Sequence, residues 1–443
     1  MLNSGSADEV APVQCDAVVI GGGPAGSTIA ALLAERGRSV VLLEKARHPR
    51  FHIGESLLPL NMPLFEQLGV GEAMQRIGMP KYGAEFVSPW HGEPVTFNFA
   101  DAMDKSFPSA YQVRRSDFDE ILFRNAARKG AAAIEECRVT SVQFNAHGAL
   151  VGARHVEGQE RKWQAKFVVD ASGRDTLLAN LSKTKRRNKK HNSAAIYGHF
   201  TDAARLPGKA EGNISLFWFE HGWFWFIPLI DGTTSVGAVC WPYYMTSRKT
   251  DPEQFFFDTI ALSPALAARL TGARLVSPVT ATGNYSYEVQ RAAGENYILL
   301  GDAYTFIDPV FSTGVLLAMQ SAFVGADTVE ACLDHPQRAP SALKAFDASM
   351  RRGPKIFSWF IYRLTTPAFR DMFMYPRNEK LQEAVLSVLA GDLFRGTPVR
   401  GRLLAFKVIY YLKSLFTLRV SLTAWKNRKR AISELSVEAP ASY

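Results

Sequence analysis

The amino-acid sequence predicts a mixed α/β fold, in which a buried parallel sheet is combined with an antiparallel sheet and a helical C-terminal region. A glycine-rich turn at residues 21–26 lies between a short apolar run and a helical pattern, as in a βαβ unit. Short alternating runs rich in aromatic and β-branched residues between 195 and 241 are typical of antiparallel strands. From residue 340 onward, apolar residues recur at helical spacing.

The parallel sheet is predicted from apolar runs that return along the chain. Residues 17–20 and 40–44 lie on either side of the first helix, and a right-handed crossover between them completes a parallel unit. Further helices and buried strands of this sheet are predicted at 118–127, 167–170, 297–302 and 314–330. The antiparallel segment interrupts this series, so the domain is discontinuous in sequence.

Length and composition set the limits of the interpretation. At 443 residues the chain exceeds the ~250–300 residues at which one core stops growing, so we expect two or three packed regions. The first 14 residues lack the basic start and apolar run of a secretory signal and are predicted to be a disordered leader. Charged residues interrupt every long apolar run, so neither a transmembrane helix nor membrane association is expected.

The four cysteines are far apart in the sequence, with no spacing typical of a metal site or a disulfide framework. We therefore expect no metal and a reducing, cytoplasmic location.

The glycine-rich turn predicts a dinucleotide site. Residues 21–26 fit the G-x-G-x-x-G pattern, in which Gly21 forms the tight turn, Gly23 admits the pyrophosphate and Gly26 allows close helix packing. Ala25 lies in the first helical turn, where free backbone N–H groups and the helix dipole face the phosphates. Glu44, at the end of the second strand, is placed to accept hydrogen bonds from a ribose hydroxyl.

Two further residues resemble the cofactor site of hydroxybenzoate-hydroxylase-like flavoproteins. Asp302 follows a buried strand in Gly-Asp-Ala, like the aspartate that binds the ribityl chain in that family, and Arg115 resembles its flavin-contacting arginine. The alternatives are a turn-capping aspartate and a surface arginine. The resemblance implies a Rossmann-like FAD-binding domain. Because there is one dinucleotide fingerprint, reduced flavin is expected from a separate reductase.

Two segments make the chain resemble the flavin-dependent halogenases over nearly its whole length. Residues 223–228 match their W-x-W-x-I-P segment, and residues 306–314 match their F-x-x-P-x-x-S-x-G segment. Trp223 and Trp225 point to one face of a strand, where two indoles would separate the flavin from an organic substrate. They could instead be ordinary core rings of an antiparallel sheet.

The resemblance implies a route for the halogen. Reduced FAD and O2 would give a peroxide, which chloride or bromide attacks to form hypohalous acid. The backbone N–H groups of Thr313 and Gly314 would hold the halide, unless this segment is only a strand-to-helix turn. Lys81, spaced from Gly54-Glu55-Ser56 as in the family, would receive the hypohalous acid through a tunnel; otherwise it is a solvated lysine.

The chain differs from the tryptophan halogenases at one position that helps to indicate the substrate. Where tryptophan halogenases have a glutamate before the serine of the second segment, this chain has Phe311. Halogenases of phenols and pyrroles resemble it there, and such electron-rich rings need less help from a positioned base. The resemblance therefore favours a phenol or pyrrole and disfavours free tryptophan.

The net charge of +9 is concentrated in two basic clusters, at residues 183–190 and 426–430. Nucleic acid is not expected, because neither cluster interleaves stacking aromatics. The basic rim suggests an acidic acyl or peptidyl carrier protein that bears the aromatic substrate. Changing Arg428, Lys429 and Arg430 together to Glu is predicted to slow turnover of such a substrate. A solvated loop and tail, or an anionic membrane surface, remain alternatives.

The predicted organisation is a leader at 1–14, a cofactor and halogenation core at 15–339 and a helical region at 340–443 that covers the substrate cavity. Within the core, the cofactor segments are predicted at about 15–130, 165–180 and 283–335, and the antiparallel sheet at about 195–282.

Three rival functions remain open. An aromatic monooxygenase of this fold would need open access to the flavin, and a geranylgeranyl-reductase-like flavoprotein would share the glycine turn and Asp302. A non-catalytic interaction protein is disfavoured, because three cofactor elements agree in order and chemistry.

Overall fold

The computed structural model describes residues 11–283, 286–376, 378–392 and 397–433, with side chains as far as Lys429 in the last helix. The strands are β1 (Val13–Ile20), β2 (Val40–Leu43), β3 (Met79–Lys81), β4 (Gly83–Val87), β5 (Val95–Asn98), β6 (Ala110–Gln112), β7 (Ala132–Ile134), β8 (Cys137–Asn145), β9 (Gly148–His155), β10 (Glu160–Asp170), β11 (Lys185–Arg187), β12 (Ala194–Thr201), β13 (Ile214–Phe219), β14 (Gly222–Pro228), β15 (Thr234–Cys240), β16 (Arg274–Leu275), β17 (Thr280–Gly283), β18 (Tyr287–Val289), β19 (Ala293–Gly294), β20 (Tyr297–Leu299) and β21 (Thr305–Phe306). The helices are α1 (Pro24–Glu35), α2 (Met62–Leu68), α3 (Gly71–Ile77), α4 (Arg115–Arg128), α5 (Leu177–Leu181), α6 (Pro242–Thr246), α7 (Pro252–Ala261), α8 (Pro264–Arg269), α9 (Gly314–Asp334), α10 (Ala339–Met350), α11 (Arg352–Ile361), α12 (Pro367–Met374), α13 (Glu379–Leu389), α14 (Arg400–Phe416) and α15 (Leu418–Ser433).

The first sheet carries the predicted parallel unit. Its order is β19-β20-β10-β1-β2-β7, and β20, β10, β1, β2 and β7 run parallel to one another. The central strand β1 is apolar and wholly buried over its second half, as expected for a sheet covered on both faces. Helices α1, α4 and α9 pack together over this sheet, and the largest core cluster forms between them. The Rossmann-like fold is confirmed.

The second sheet has the order β16-β12-β15-β14-β13-β4-β5, with β17 also paired to β12. Strands β12 to β15 are antiparallel and fall where the aromatic runs predicted them. The sheet also contains β4 and β5, since β4 pairs in parallel with β13. The sequence did not assign these two strands to it. Three short helices, α6 to α8, interrupt the range predicted to be sheet.

The C-terminal helices complete the core of the second sheet. One face of the sheet carries Trp223, Trp225 and Ile227 and packs against rings of α11 and α12, including Phe360 and Phe369. The other face packs against α7. Because the strand side chains alternate, β14 contributes to both cores and is buried along its whole length.

One predicted boundary differs from the structure. β1 begins at Val13, so the last two residues of the predicted leader are part of a strand that pairs with β10. Residues 1–10 lie outside the described residues.

Among the described helices, α9 is long and apolar enough to cross a bilayer, but more than half of its apolar window is buried in the core. It contacts α1 and α10 there.

Candidate active site

A cavity of about 590 Å³ lies at the carboxyl edge of the parallel sheet, where dinucleotides bind in this class of fold. The sequence-predicted cofactor residues line it together, although they come from segments up to 290 residues apart in the chain. They are Gly21, Gly23, Ala25, Glu44, Arg115, Asp302 and Gly314. Gly26 follows Ala25 in the first turn of α1 and faces the backbone of Gly21 and the side chain of Ala171 instead.

The glycine turn has the shape that a pyrophosphate requires. Gly21 has φ +102°, and a Cβ on Gly26 would lie 1.9 Å from the carbonyl oxygen of Gly21. A Cβ on Gly23 would meet its nearest heavy atom, Nη2 of Arg50, at 3.6 Å, so this glycine keeps space open on the cavity side. Pro24 opens α1, whose first N–H groups have no helical partner. These residues fit the phosphates of FAD.

Glu44 is fixed before any ligand arrives. Its Oε2 accepts a hydrogen bond from the Gly22 N–H at 2.7 Å, and its Oε1 accepts one from the Ala46 N–H at 2.9 Å. Nη2 of Arg50 lies 3.6 Å from the same carboxylate. Each carboxylate oxygen retains a second acceptor site, so Glu44 can also bind a ribose hydroxyl.

Arg115 is held rigidly at the cavity wall. Its guanidinium donates to both carboxylate oxygens of Asp119, at 2.9 and 3.1 Å, and to the carbonyl of Ile53 at 2.9 Å. Asp119 is fully buried, and the charges of Arg115 and Arg50 lower the pKa of its carboxyl despite that burial. The alternative interpretation of Arg115 as a surface cation is therefore excluded, and its guanidinium lies at the cavity wall, paired with Asp119.

Asp302 lies at the turn after β20. Its carbonyl accepts a hydrogen bond from the Tyr287 hydroxyl at 2.6 Å, whereas its carboxyl group forms no hydrogen bond with another described residue. Burial raises the pKa of Asp302 to about 6. A half-buried carboxyl group that lines a cavity and has no hydrogen-bond partner among the described residues fits the hydroxyl groups of a ribityl chain.

The segment before α9 lies between this cavity and a smaller one. Ser312 adopts the left-handed φ of +55°, and its N–H donates to the Pro309 carbonyl at 2.9 Å. Thr313 and Gly314 both line the smaller cavity, of about 50 Å³, which α11 closes from above with Phe357. Gly314 lines both cavities, so a small anion there would lie close to the larger ligand.

Trp223 and Trp225 line the larger cavity from the second sheet, and both are 5% exposed. Their ring centroids are 6.2 Å apart, and Nε1 of Trp225 donates to the Ser235 hydroxyl at 3.1 Å. The same side chains belong to the core beneath α11 and α12. They therefore contribute to packing and, at the same time, form a wall of the cavity.

Lys81 is among the most deeply buried large side chains, with 1% exposure. Its Nζ donates to the Ser56 hydroxyl at 2.9 Å and to the Leu57 carbonyl at 3.0 Å, and it lies 5.2 Å from the Phe99 ring centroid. Burial lowers the pKa of Lys81 to about 7. Lys81 does not line the FAD-sized cavity, but Ser56 does, so one hydroxyl group lies between them.

The pairing of short strands explains this position. β3, which ends at Lys81, pairs with β6, and Lys81 stands opposite Ala110. Ser56 bridges to Gln112 on the same strand. The segment that begins at Gly54 and strand β3 therefore both pair with β6, which brings Ser56 within reach of Lys81 although 25 residues separate them.

Several residues of the site carried no predicted role. His199 and Glu55 form a buried pair, with Nε2 at 2.9 Å from Oε1, and Glu55 lines the cavity. His191 lies 2.7 Å from Asp308, which also accepts from the Ser193 hydroxyl at 3.0 Å. Glu55 and Asp308 lie in segments that the sequence analysis used, at residues 54–56 and 306–314. Their pairing could not be predicted, because each histidine partner lies more than a hundred residues away.

The basic C-terminal cluster differs from the predicted tail. Arg428 is half-buried: Nη2 lies 3.1 Å from Nδ1 of His191, and the guanidinium packs near the rings of Trp241 and Tyr362. Burial lowers the pKa of Arg428 to about 10. The side chain of Arg430 lies outside the described residues. Arg428 therefore anchors α15 to the body of the protein, and a charge reversal there would disturb packing as well as charge.

Comparison with known proteins identifies the family of the chain. A family model described as tryptophan halogenase matches residues 16–107 and 98–385. The chain belongs to the tryptophan halogenase family. Flavin-dependent halogenases are oxidoreductases, and FAD is the cofactor that the cavity fits.

Individual relatives match most of the chain. A 1H-pyrrole-2-carbonyl-(peptidyl-carrier protein) chlorinase of Pseudomonas fluorescens is 30% identical over 86% of this chain and 90% of its own. A tryptophan 2-halogenase of Chondromyces crocatus is 34% identical over 73% of this chain and 62% of its own.

Solved structures agree in fold. The myxobacterial FAD-dependent chondrochloren halogenase CndH superimposes with a TM-score of 0.75 and 33% identity, over 93% of this chain and 97% of its own. A flavoprotein/dehydrogenase of Cytophaga hutchinsonii superimposes with a TM-score of 0.83 and 27% identity, over 91% of this chain and all of its own. Membership in the halogenase family resolves the choice among the rival functions considered from sequence.

Proposed function

We propose that this halogenase uses reduced FAD, dioxygen and a halide to form hypohalous acid, and that Lys81 passes the halogen to an electron-rich aromatic ring, a phenol or a pyrrole. The observation that carries the proposal is the environment of Lys81. Lys81 is 1% exposed, its pKa is near 7, and it is hydrogen-bonded to Ser56, which lines a cavity that fits FAD. These properties are those of a functional lysine and differ from those of a solvated surface lysine.

The chain holds the cofactor from three directions. The turn at Gly21 and the first N–H groups of α1 bind the phosphates, Glu44 binds the ribose, and Asp302 binds the ribityl hydroxyls. When bound, reduced FAD supplies two electrons to dioxygen, which allows a halide to be oxidised to hypohalous acid with release of water. A separate flavin reductase supplies the reduced cofactor in this proposal.

The halide binds at the backbone N–H groups of Thr313 and Gly314, at the start of a helix of 21 residues. Neutral donors and the helix dipole stabilise a monovalent anion without a fixed counter-charge. The small cavity lined by both residues provides room for chloride or bromide. Trp223 and Trp225 close the route by which an organic substrate would reach the flavin directly.

Lys81 then acts on the hypohalous acid. In its charged form the ammonium donates a hydrogen bond to the acid and polarises the bond between oxygen and halogen. In its neutral form the amine attacks the halogen, forming a nitrogen–halogen bond as the oxygen–halogen bond breaks and hydroxide leaves with the amine proton as water. Both forms are present near pH 7, because burial places the pKa at about 7.

The decisive experiment replaces Lys81 with Met, which keeps the length and apolar volume of the side chain. We expect retained FAD binding and oxygen consumption with loss of halogenated product, measured by mass spectrometry with a flavin reductase, halide and a panel of phenolic and pyrrolyl acids. Lys209→Met is the matched control, because this exposed lysine lies over the ring of Tyr82, the residue next to Lys81. A product yield equal to wild type in Lys81→Met would contradict the proposal.

The proposal that the substrate ring is a phenol or a pyrrole rests on Phe311. Its side chain is 5% exposed and packs edge-on against Phe360 at 6.4 Å between centroids. An apolar residue there leaves the position before Ser312 without a carboxylate, so the substrate itself has to stabilise the cationic ring intermediate. Similarity to the pyrrolyl-carrier chlorinase supports a ring tethered to an acidic carrier protein as one form of the substrate.

A further inference from the structure

The last two helices leave an apolar face uncovered. Eleven large apolar side chains of α14 and α15 are 42–87% exposed. We call these residues the C-terminal apolar face; they are Leu404, Val408, Ile409, Tyr411, Leu412, Leu415, Phe416, Leu418, Val420, Leu422 and Trp425. Isolated apolar side chains on a surface are ordinary, but a contiguous patch of this size marks an interaction site.

The face is organised by helical spacing. On α14, Leu404, Val408, Tyr411 and Leu415 recur at intervals of three and four, so they lie within an arc of about 60°. The opposite side of this helix is buried by Leu403, Phe406 and Tyr410. On α15, Leu418, Leu422 and Trp425 repeat the same spacing. The body of the protein covers one side of each helix and leaves a second apolar side outward.

Cations border this face. Residues 397–433 contain nine lysines and arginines and no aspartate or glutamate. Arg402 is paired with Glu383 and Lys413 with Asp371, on one border of α14. The other basic residues at the edge of the face form no ion pair with a described residue; they are Arg400, Lys407, Arg419, Lys426 and Lys429. The face therefore carries uncompensated positive charge around an apolar centre.

The positive charge around the C-terminal apolar face indicates what kind of partner can bind it. A second copy of the chain would bring like charges together, which opposes self-association. The last turn of α14 carries the most exposed of these side chains, Phe416 at 87%, next to Leu415 at 63%. A projecting tip of aliphatic and aromatic side chains, ringed by lysine and arginine, has the composition of a helix that lies in a membrane interface.

We propose that the C-terminal apolar face binds the surface of an anionic lipid bilayer, with the tip at Leu415 and Phe416 inserted among the acyl chains and the surrounding cations at the headgroups. Arg428 fixes α15 to the protein through His191, so the enzyme would sit on the membrane as a rigid body. The sequence predicted no membrane association, because the charges that interrupt the apolar stretch were counted along the chain. In three dimensions these charges lie at the borders of the face.

Flotation of the full-length protein with lipid vesicles tests the proposal. We expect the protein to float with vesicles that contain phosphatidylglycerol and to remain unbound with phosphatidylcholine alone at moderate salt. The double variant Leu415→Glu/Phe416→Glu should lose roughly tenfold or more of the binding, because it places two charges in the apolar layer. Val156→Glu is the matched control: Val156 is 66% exposed on a turn of the first sheet and should bind as wild type does.

A label gives an independent measurement. The four native cysteines are buried, so a cysteine introduced by Leu415→Cys can be labelled selectively with an environment-sensitive dye. We expect a blue shift of its emission with anionic vesicles. No shift, or flotation that Leu415→Glu/Phe416→Glu leaves unchanged, overturns the proposal. So does a wild-type dimer that this double variant converts to a monomer, or an acidic carrier protein that binds this face while vesicles do not.

Halogenation of free substrate is measured in parallel with the same variants. Because vesicle binding does not require turnover, a wild-type protein that is fully active but does not bind anionic vesicles removes this inference alone. A Lys81→Met variant that keeps the wild-type product yield removes the proposed function alone.

Discussion

At the scale of single residues, burial makes Lys81 a titrating group near neutral pH. Ser56 and Leu57 provide two acceptors for its Nζ, but no carboxylate of a described residue is bonded to it. Desolvation is therefore not offset by an opposite charge, and it lowers the pKa to about 7. The same burial that would make the amine reactive also costs stability when the amine is charged.

We predict a pH-dependent difference in stability between wild type and Lys81→Met. Between pH 7 and 10.5 the unfolded state binds a proton at Lys81 that the folded state does not, so wild-type stability rises with pH in this window. Relative to Lys81→Met, the wild type should gain on the order of 4 kcal/mol across the window. Urea unfolding of both proteins at pH 7 and pH 9.5 measures most of it. A constant difference would show that Lys81 is not desolvated.

The same pKa distinguishes the two forms of the lysine in catalysis. If the neutral amine attacks the halogen, the product formed per FADH2 oxidised rises with pH through about 7; if the ammonium donates a hydrogen bond, that ratio falls. Mass spectrometry at fixed oxygen and halide, from pH 6 to 8.5, measures the ratio. A ratio that is flat across this range would place the titration of Lys81 elsewhere.

At the scale of elements, the turn between β1 and α1 has two glycines with different tasks. Gly26 allows α1 to lie against the Gly21 carbonyl, so Gly26→Ala should destabilise the protein by about 3 kcal/mol through backbone displacement. Gly23→Ala should change the stability of the FAD-free protein by less than about 1 kcal/mol, because a methyl group there has room.

FAD affinity separates the two variants further. The methyl group of Gly23→Ala would occupy the approach of the pyrophosphate, and we expect FAD to bind at least about tenfold more weakly. Fluorescence titration of FAD into Gly23→Ala and into wild type measures this change. Wild-type affinity in Gly23→Ala would indicate that the phosphates do not lie against this turn.

At the scale of the whole molecule, charge is distributed unevenly and affects how a carrier protein would arrive. Lys189 and Lys190 are exposed and directly precede His191, which contacts Asp308 in the segment before the proposed halide site. Arg428 is unsuited to the charge-reversal experiment that the sequence suggested, because it packs among rings. Lys189→Glu/Lys190→Glu tests the same idea with exposed residues.

We expect this double variant to lower kcat/KM for a carrier-tethered aromatic acid by about tenfold at low salt, and to leave the free acid unaffected, because steering acts on the charged carrier. The difference from wild type should shrink as salt is added. Equal rates with the tethered substrate at low salt would remove this cluster from carrier recognition.

Much of the fold could be predicted because its signals are local. The apolar runs at β1 and β2, the glycines between them and the aromatic alternation of β12 to β15 each occur within a few residues. By contrast, β4 and β5 were not assigned to the second sheet, since β4 joins it by pairing with β13, about 130 residues away in the chain, and β5, among the described strands, pairs only with β4. The helices α6 to α8 were missed within a range that strands dominated.

The sequence by itself determined the cofactor turn, the two halogenase segments and the family, because these depend on residue types at short, fixed spacing. Only the tertiary structure decided that Lys81 is buried behind Ser56, that Arg428 is an anchor and that α14 and α15 present an apolar face. Burial and charge compensation depend on which distant segments pack together, and the order of residues along the chain does not encode them locally.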